Sequence, residues 1–239
     1  MIILGIFGLI MLALGLLSWL LFDQRLQVFG PVKNKIKTNQ KVVALSFDDG
    51  PNEPYTSQIL DILNRYNFKA TFFVVGDNAL KYPETIKKII TSGHEIGCHG
   101  QTHNFMKYIY EPTFFSEITM CQNTLKKLGL ENIRLVRTPW LMKNWFIFDG
   151  LKKAGFKFIV GGKYSSLLEP LGASPDYIFR SIKKRLQKGD IVIFHDDHDA
   201  KGGERRNTVE AVSKLAEFLK KSGYESVSVS GLLEIEQVT

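Results

Sequence analysis

Residues 42–51 read VVALSFDDGP, a short apolar run that ends on two adjacent carboxylates. A short apolar run followed by a Gly-Pro turn signal is typical of a strand that is buried on both faces. Asp48 and Asp49 follow this strand directly, and α/β enzymes carry their chemistry at the carboxyl ends of parallel strands. The stretch therefore predicts a parallel α/β fold with both carboxylates at its active edge. The alternative is that the two side chains only cap the turn before Gly50-Pro51.

Outward from this stretch, strand-like and helix-like segments alternate through the rest of the chain. Apolar residues at helical spacing predict helices at 55–66, 83–92, 112–128, 145–154, 175–186 and 207–221. Strands are predicted at 42–47, 70–75, 95–98, 133–136, 157–160, 190–194 and 225–229. This alternation indicates parallel strands with helices outside them. We expect residues 42–239 to form one catalytic domain, a closed or partly open α/β barrel rather than a flat sheet.

The N-terminal residues form a separate apolar segment. Residues 2–22 contain no ionisable side chain, and about 20 apolar residues suffice to span a bilayer. No Lys or Arg precedes the run, whereas a signal peptide begins with a basic region. We therefore predict an uncleaved transmembrane helix over residues 1–22, with a cleaved signal peptide or a buried core helix as the alternatives. Residues 23–41 are predicted to be a basic juxtamembrane linker.

The basic excess of the chain is concentrated in that linker. The formal net charge is +7, of which residues 23–41 carry +4. Such a segment either contacts anionic lipid headgroups or is a solvated linker. The chain shows no basic face with interleaved aromatic residues, so we do not expect nucleic acid as a partner. Apolar residues at 44% and charged residues at 23% argue against a disordered or collagen-like chain.

Two histidines four residues apart, His99 and His103, follow the third predicted strand. Imidazoles at this spacing can share a metal ion, and Asp49 offers an oxygen as a third ligand; the alternative is two surface histidines. Two imidazoles and one carboxylate leave open positions on the metal, as hydrolysis requires. Zinc suits imidazole ligands, and other divalent ions are alternatives. His94 lies at the other end of the same strand and is interpreted as structural.

The remaining titratable residues at strand ends fit an acid–base pair. Arg137 ends the fourth predicted strand and His195 ends the sixth. Two adjacent carboxylates repel each other, so a metal at Asp49 and a cation such as Arg137 beside Asp48 would stabilise them. Asp48 would then act as a base toward water, and His195 would protonate a leaving amine. Residues 196–199 are expected to form a solvated loop.

Four motifs, in order along the chain, resemble those of the polysaccharide deacetylase family, the chitooligosaccharide deacetylase homology domain. They are SFDDGP at 46–51, GHEIG at 93–97 leading to His99-x-x-x-His103, RTPW at 137–140 and GDIVIFHD at 189–196. The similarity covers about residues 41–236. It implies a deformed (β/α)7 barrel resembling a TIM barrel. It also implies a hydrolase of non-peptide carbon–nitrogen amide bonds that removes N-acetyl, or alternatively O-acetyl, groups from polysaccharides.

The same resemblance implies a role for each matching residue. It implies three catalytic residues, namely Asp48 as general base, Arg137 to orient that base and His195 as general acid. It implies three ligands for one divalent ion, expected to be Zn²⁺, namely Asp49, His99 and His103. It also implies two substrate contacts, Pro139 and Trp140, where a main-chain N–H near Trp140 would help to hold the oxyanion and its ring would line the site.

Three features depart from the family pattern. Gly100 stands where the family usually has Ser or Thr, and Leu141 stands where it usually has Gly. The fourth motif, whose Asp would support His195 and whose Trp would line the acetyl pocket, has no match in residues 160–164. Its absence leaves open a catalytically degenerate barrel that only binds glycan. A metallohydrolase acting on another acyl or a phosphate substrate is a third hypothesis.

The resemblance also bears on location and substrate. Members of the family usually act outside the cytoplasm, whereas the positive-inside rule would place this Lys-rich flank in the cytoplasm. We give the resemblance more weight and expect a membrane-anchored protein with an extracytoplasmic catalytic domain. The expected substrate is a carbohydrate polymer or oligosaccharide, from the cell wall or another envelope glycan. The oligomeric state is not predicted.

Overall fold

The computed structural model describes residues 2–238, with side chains described for residues 6–110 and 113–236. The strands are β1 (Val32–Lys33), β2 (Val42–Asp48), β3 (Ala70–Val74), β4 (Glu95–Cys98), β5 (Ile159–Val160), β6 (Lys163–Tyr164), β7 (Ile191–His195) and β8 (Glu225–Ser226). The helices are α1 (Ile2–Phe22), α2 (Tyr55–Tyr66), α3 (Gly76–Lys81), α4 (Pro83–Thr91), α5 (Glu111–Lys127), α6 (Trp145–Lys153), α7 (Pro175–Arg185), α8 (Arg206–Lys221) and α9 (Val229–Val238).

The main sheet runs in the order β4-β3-β2-β7-β6, β8 also pairs with β2, and all of these pairs are parallel. Beyond β4 the ring continues through Val136, which bridges Cys98 and whose carbonyl accepts a hydrogen bond from Val160 N–H at 2.8 Å. Only Gly161 and Gly162 separate β5 from β6, so the covalent chain brings the ring back toward β7. The predicted α/β fold with parallel strands is confirmed.

The core lies between the strands and the surrounding helices, with β2 at its centre. Every residue of β2 is buried, and Phe47 stacks against Phe72 at 4.9 Å and Phe194 at 5.9 Å. Helix α2 buries Ile59 and Leu63, which lie four residues apart on one face, against this core. Each fully buried side chain of this size contributes about 1.5–3 kcal/mol. The sheet is therefore a rigid support for the loops at its carboxyl edge.

The six predicted helices appear within one residue of their expected bounds, whereas the strands deviate more. The predicted strand at 133–136 is reduced to the bridge at Val136, because only its last two residues reach the core. Four elements are additional to the predictions, namely β1, α3, β6 and α9. Strands of two residues contain too little pattern for period-2 alternation to be recognised.

The prediction of a membrane anchor, and with it of a membrane-anchored extracytoplasmic domain, is wrong. Among the described residues, no helix combines the length and the apolar character needed to cross a bilayer. The last turn of α1 contacts the domain: Lys143 donates to the carbonyls of Leu20 and Leu21 at 2.9 and 3.0 Å.

The segment after α1 packs on the barrel. Strand β1 pairs in parallel with β5, and Lys35 bridges Asp190 in antiparallel fashion. Ile36 is buried, and its N–H donates to Gly189 O at 2.9 Å. Residues in the segment predicted as a linker therefore form part of the packed domain.

Candidate active site

Two neighbouring strands bring the first pair of site residues together. Asp48 on β2 and His195 on β7 are register partners in the parallel pair, so both lie at the same carboxyl edge. Asp49 follows with φ 75°, a left-handed conformation that separates its carboxylate from that of Asp48. All three residues line a cavity of ≈ 190 Å³.

Asp49, His99 and His103 form a buried trio at one side of this cavity. Asp49 Oδ1 lies 3.2 Å from His99 Nε2 and 3.1 Å from His103 Nε2, and the three ligand atoms lie within 4.8 Å of one another. Burial by itself would raise the pKa of Asp49, but hydrogen bonds from the two imidazoles outweigh burial and hold that pKa well below its usual value. A carboxylate with two imidazoles at this spacing fits a single divalent metal ion.

The orientation of His99 supports this fit. Its Nδ1–H donates to the carbonyl of Arg137 at 2.7 Å. This bond fixes the ring with Nε2 facing Asp49, where that nitrogen would bind a metal ion in place of its hydrogen bond to the carboxylate. The Arg137 carbonyl therefore orients the predicted metal ligand His99, while the Arg137 side chain contacts Asp48.

The Arg137 side chain is fully buried and contacts Asp48. Its Nη1 donates to Asp48 Oδ1 at 2.5 Å and to Ser46 Oγ at 2.9 Å. The guanidinium also lies over the Phe73 ring, 4.1 Å from the ring centroid. A buried arginine with several hydrogen bonds is held in one orientation, so it fixes the Asp48 carboxylate relative to the cavity.

His195 is supported by Glu169, a residue that the sequence analysis missed. His195 Nδ1–H donates to Glu169 Oε2 at 2.6 Å, and Thr208 Oγ1 donates to the other carboxylate oxygen at 2.6 Å. Burial alone would lower the pKa of His195, but the charge and hydrogen bond of Glu169 outweigh it and raise that pKa to about 9. His195 therefore carries a proton at neutral pH.

Glu169 supplies the support for His195 that the fourth motif was expected to supply. It lies in the loop after β6, in the stretch SSLLEPLGA at 165–173, where it is the single charged residue. A lone carboxylate in an apolar stretch is buried only with a partner, and that signal could have identified it. The support that the sequence appeared to lack is present, supplied by a glutamate outside the expected segment.

The interpretation of residues 196–199 as a solvated loop is wrong for its first two residues. Asp196 and Asp197 are each 1% exposed. Thr56 Oγ1 donates to Asp196 at 2.6 Å, and Asn78 Nδ2 donates to Asp197 at 2.8 Å. Burial raises the pKa of Asp196 to about 8. Asp197 also accepts hydrogen bonds from the N–H groups of His198 and Gly202 at 2.7 and 3.2 Å, whereas Asp196 Oδ1 has no partner among the described residues. Both carboxyl groups are therefore packed inside the protein.

The loop at 138–141 forms the wall of the cavity beside His103. The Trp140 ring lies 4.5 Å from the His103 ring, and Trp140 and Leu141 line the cavity. Pro139, expected as a substrate contact, is buried and is not among the lining residues. Leu141 has φ 54°, which explains why the family pattern favours glycine at this position.

The departure from the family pattern at Gly100 is explained by Tyr108. Gly100 has φ +87°, and a Cβ added there would lie 1.7 Å from Tyr108 Oη. Tyr108 is fully buried, and its ring packs edge-on against Trp140 at 6.0 Å. The tyrosine hydroxyl therefore fills the space that a Ser or Thr side chain would need.

Comparisons with known proteins identify relatives of this chain. A family model described as polysaccharide deacetylase matches residues 35–159. A peptidoglycan-N-acetylglucosamine deacetylase of Bacillus cereus is 32% identical over 214 residues, which cover 90% of this chain and 98% of that protein. A chitooligosaccharide deacetylase of Bradyrhizobium sp. is 29% identical over 195 residues, covering 77% of this chain and 86% of that protein.

A solved structure extends the similarity to the fold. The crystal structure of a peptidoglycan N-acetylglucosamine deacetylase in complex with 4-naphthalen-1-yl-N-oxidanyl-benzamide superimposes with a TM-score of 0.77 at 26% sequence identity. The match covers 90% of this chain and 95% of that one. The similarity therefore spans nearly the whole of both chains.

Proposed function

The chain belongs to the polysaccharide deacetylase family and is a hydrolase of non-peptide carbon–nitrogen amide bonds, and we propose that it removes N-acetyl groups from a cell-wall glycan with the help of a divalent metal ion. One observation carries this proposal. A single cavity is lined by two histidines and an aspartate that fit a metal ion, by a carboxylate fixed by a buried arginine, and by an imidazole that is hydrogen-bonded to a buried glutamate. Amide hydrolysis needs these three functions together.

Asp49, His99 and His103 would hold the metal ion. Two imidazoles and one carboxylate suit Zn²⁺, which we propose as the native ion. When bound, such an ion polarises the carbonyl of the acetyl group and lowers the pKa of water at the site. The buried ligands and the hydrogen bond from His99 to a backbone carbonyl support this assignment.

Asp48 is the proposed general base. Its Oδ1 is held by Arg137 at 2.5 Å, so the carboxylate keeps one orientation while it takes a proton from the attacking water. The separation of roles between neighbouring carboxylates follows from their partners: Asp48 faces a guanidinium and Asp49 faces two imidazoles. Each therefore performs one task.

His195 is the proposed general acid. Its Nδ1–H is bound to Glu169, which leaves Nε2–H to protonate the departing amine. A pKa of about 9 keeps the imidazole protonated at neutral pH. Glu169 is a positioning residue, because it acts through His195 and is buried behind it.

The wall at Trp140 is the proposed oxyanion and sugar contact. The N–H groups of Leu141 and Met142 already donate to Thr138 O and Pro139 O at 2.9 and 3.0 Å. We assign the Trp140 N–H to the developing oxyanion and its ring to one face of the sugar. A cavity of ≈ 190 Å³ is small beside the roughly 300–1,000 Å³ of pockets for drug-sized ligands. It admits one acetylated sugar while the remaining polymer lies across the mouth.

The experiment is acetate release by the full chain from N-acetylated peptidoglycan and chitin oligomers, with and without chelator. We expect chelator-sensitive acetate that returns when zinc is added. Acetate release that survives complete metal removal would contradict the proposal. Acetate release from O-acetylated but not from N-acetylated glycan would overturn the proposed amide linkage, while the proposed site residues would stand.

Two variants test the division of labour. His99→Ala should lose both the metal and activity, whereas Asp48→Asn should lose activity and still bind metal stoichiometrically. Removal of a general base typically costs about 10²–10⁴-fold in rate. Loss of metal from Asp48→Asn would overturn the separate roles of the two carboxylates.

The alternative of a degenerate glycan-binding barrel depended on the missing fourth motif. The Glu169–His195 pair removes that reason, because the acid has its supporting carboxylate. No feature of the described residues favours a phosphate substrate over an acetyl group.

A further inference from the structure

We propose that Gln24, in the segment after α1, is a positioning residue for Arg137. The inference rests on the proposed function, since it concerns how the base Asp48 is held. Gln24 does not line the catalytic cavity. It contacts the two-glycine turn between β5 and β6, which supplies the backbone acceptors of the buried guanidinium.

The acceptors in this turn direct Arg137. Its Nε donates to Val160 O at 2.9 Å, and its Nη2 donates to Gly161 O at 3.0 Å. These two bonds leave Nη1 to reach Asp48. Since Arg137 is excluded from water, its orientation follows the positions of these carbonyls. A shift of the turn would therefore turn the guanidinium away from the base.

The backbone N–H groups of the two residues before Gly162 also donate hydrogen bonds. Val160 N–H donates to Val136 O at 2.8 Å, and Gly161 N–H donates to Lys33 O at 2.8 Å. The first part of the turn is thus tied to the barrel and to β1. Its last residue, Gly162, needs partners of its own because it is buried.

Gln24 supplies both partners of Gly162. Gly162 N–H donates to Gln24 Oε1 at 2.7 Å, and Gln24 Nε2 donates to Gly162 O. A side-chain amide can satisfy one donor and one acceptor of the same residue, which glutamine does here. Gly161 permits this close approach, since a Cβ at that position would lie 2.4 Å from Gln24 Oε1.

Loss of the Gln24 side chain is expected to displace the turn at 160–162 and, with it, the Arg137 guanidinium. Two buried backbone groups would lack partners, and the turn would move to find them. Displacement of catalytic groups by about 1 Å can cost about 10²-fold in rate. Because Arg137 contacts the base and not the substrate, kcat should fall while KM changes little.

The kinetic test compares Gln24→Ala with Gln27→Ala. Gln27 is an exposed glutamine three residues away, with one long hydrogen bond to Val32 O at 3.4 Å. We expect kcat to fall about 10- to 100-fold in Gln24→Ala, with KM within about twofold, and both to stay within about twofold in Gln27→Ala. In an Arg137→Lys background, Gln24→Ala should cause little further loss. Equal loss in both backgrounds would overturn the proposal.

A second readout is independent of activity. Hydrogen exchange of the Arg137 Nε–H, followed by NMR on ¹⁵N-arginine-labelled full chain, reports the bond to Val160. We expect exchange to become about tenfold faster or more in Gln24→Ala while the Leu45 amide of β2 is unchanged. Equal acceleration at both positions would show global destabilisation and overturn the positioning role. A wild-type chain that releases no acetate would contradict the proposed function alone, because the exchange measurement still tests the contact.

Discussion

The two sides of the catalytic cavity are built in different ways. The metal side, Asp49, His99 and His103, comes from the ends of β2 and β4 and the turn that follows β4. The acid–base side, Asp48, Arg137 and His195, depends on supports from three distant segments: Gln24, the turn at 160–162, and Glu169. Positions at two strand ends and an i, i+4 spacing place the metal ligands, with one supporting hydrogen bond from His99 to Arg137 O. Strand register places Asp48 beside His195, but hydrogen bonds across the fold build the supports of the acid–base side.

A sequence motif can reveal the metal ligands, but it does not reveal the groups that support the acid and the base. A ligand must be His or Asp at a given spacing, so its identity is visible in the sequence. A support for arginine can be any backbone carbonyl, and a support for histidine can be any carboxylate that reaches it. We therefore expect substitutions on the metal side to remove binding of the ion, and substitutions among the supports to reduce rate or shift its pH dependence.

The largest expected effect is on the metal side. Asp49→Ala should abolish retention of metal and lower acetate release at least about 10³-fold, beyond the roughly 10–100-fold that loss of a ligand's supporting hydrogen bond costs. Metal content after dialysis and kcat/KM measure this. Asp61→Ala, an exposed aspartate on α2, is the control and should change neither. Asp49→Ala that keeps stoichiometric metal would show that the ion binds elsewhere.

The next effect concerns Glu169 and pH. Since the pKa of His195 is raised to about 9, the protonated acid is lost only as pH rises through that value. In Glu169→Gln the charge that opposes burial is removed, so the pKa of His195 should fall and the alkaline limb of kcat/KM should move to lower pH. We expect about a tenfold loss of kcat at pH 7 and a larger loss at pH 9.

Glu204→Gln is the matched control for this shift. Its side chain is 66% exposed and pairs only with solvent-exposed Arg206 among the described residues. The pH profile of this control should match the wild type. An unchanged alkaline limb in Glu169→Gln would mean that Glu169 only packs against His195.

A smaller effect, on stability, tests the departure from the family pattern at Gly100. Gly100→Ala combines a left-handed backbone with overlap on Tyr108 Oη and should cost about 2–4 kcal/mol in the free energy of unfolding. Tyr108→Phe should cost little, since its hydroxyl lacks a partner within the described part of the chain. The double variant should recover about 1–2 kcal/mol, measured by urea unfolding.

Gly129→Ala is the control for backbone strain alone. Gly129 has φ +92° with open space around it, so only the conformational cost of about 1–2 kcal/mol applies. If Gly100→Ala cost no more than this control, overlap with Tyr108 would not explain the absence of Ser or Thr.

The smallest effect on activity is expected at the far end of β4. His94 is buried like His99 but lies at the opposite edge, where its Nδ1 accepts from Ala70 N–H at 3.2 Å. Burial lowers the pKa of His94 to about 4, so it is neutral at working pH. His94→Gln should keep kcat/KM within about threefold and lower stability by about 1 kcal/mol. A large loss of activity would mean that both ends of β4 serve catalysis.

Sequence reasoning performed best where local signals are strong. Helices with Pro at the start or Gly at the end, such as α7 and α6, appear where predicted because these residues set the backbone there. It was wrong for residues 2–22, where apolar composition alone predicted a membrane anchor, and for Asp196 and Asp197, where charge predicted exposure. Composition does not show which neighbours are available in the folded chain.

The amino-acid sequence alone determined the family, the α/β alternation and the identity of the six residues proposed for chemistry, because each of these needs a particular residue type at a particular spacing. Only the tertiary structure decided how these residues are held: Glu169 behind His195, Gly161 O on Arg137, and Gln24 on the turn. A hydrogen bond requires only that a donor and an acceptor meet within about 3 Å. Which segments meet is a property of the packed chain, so Gln24 and the Gly161 carbonyl have no signature in the sequence, and Glu169 has only its position as a lone carboxylate in an apolar stretch.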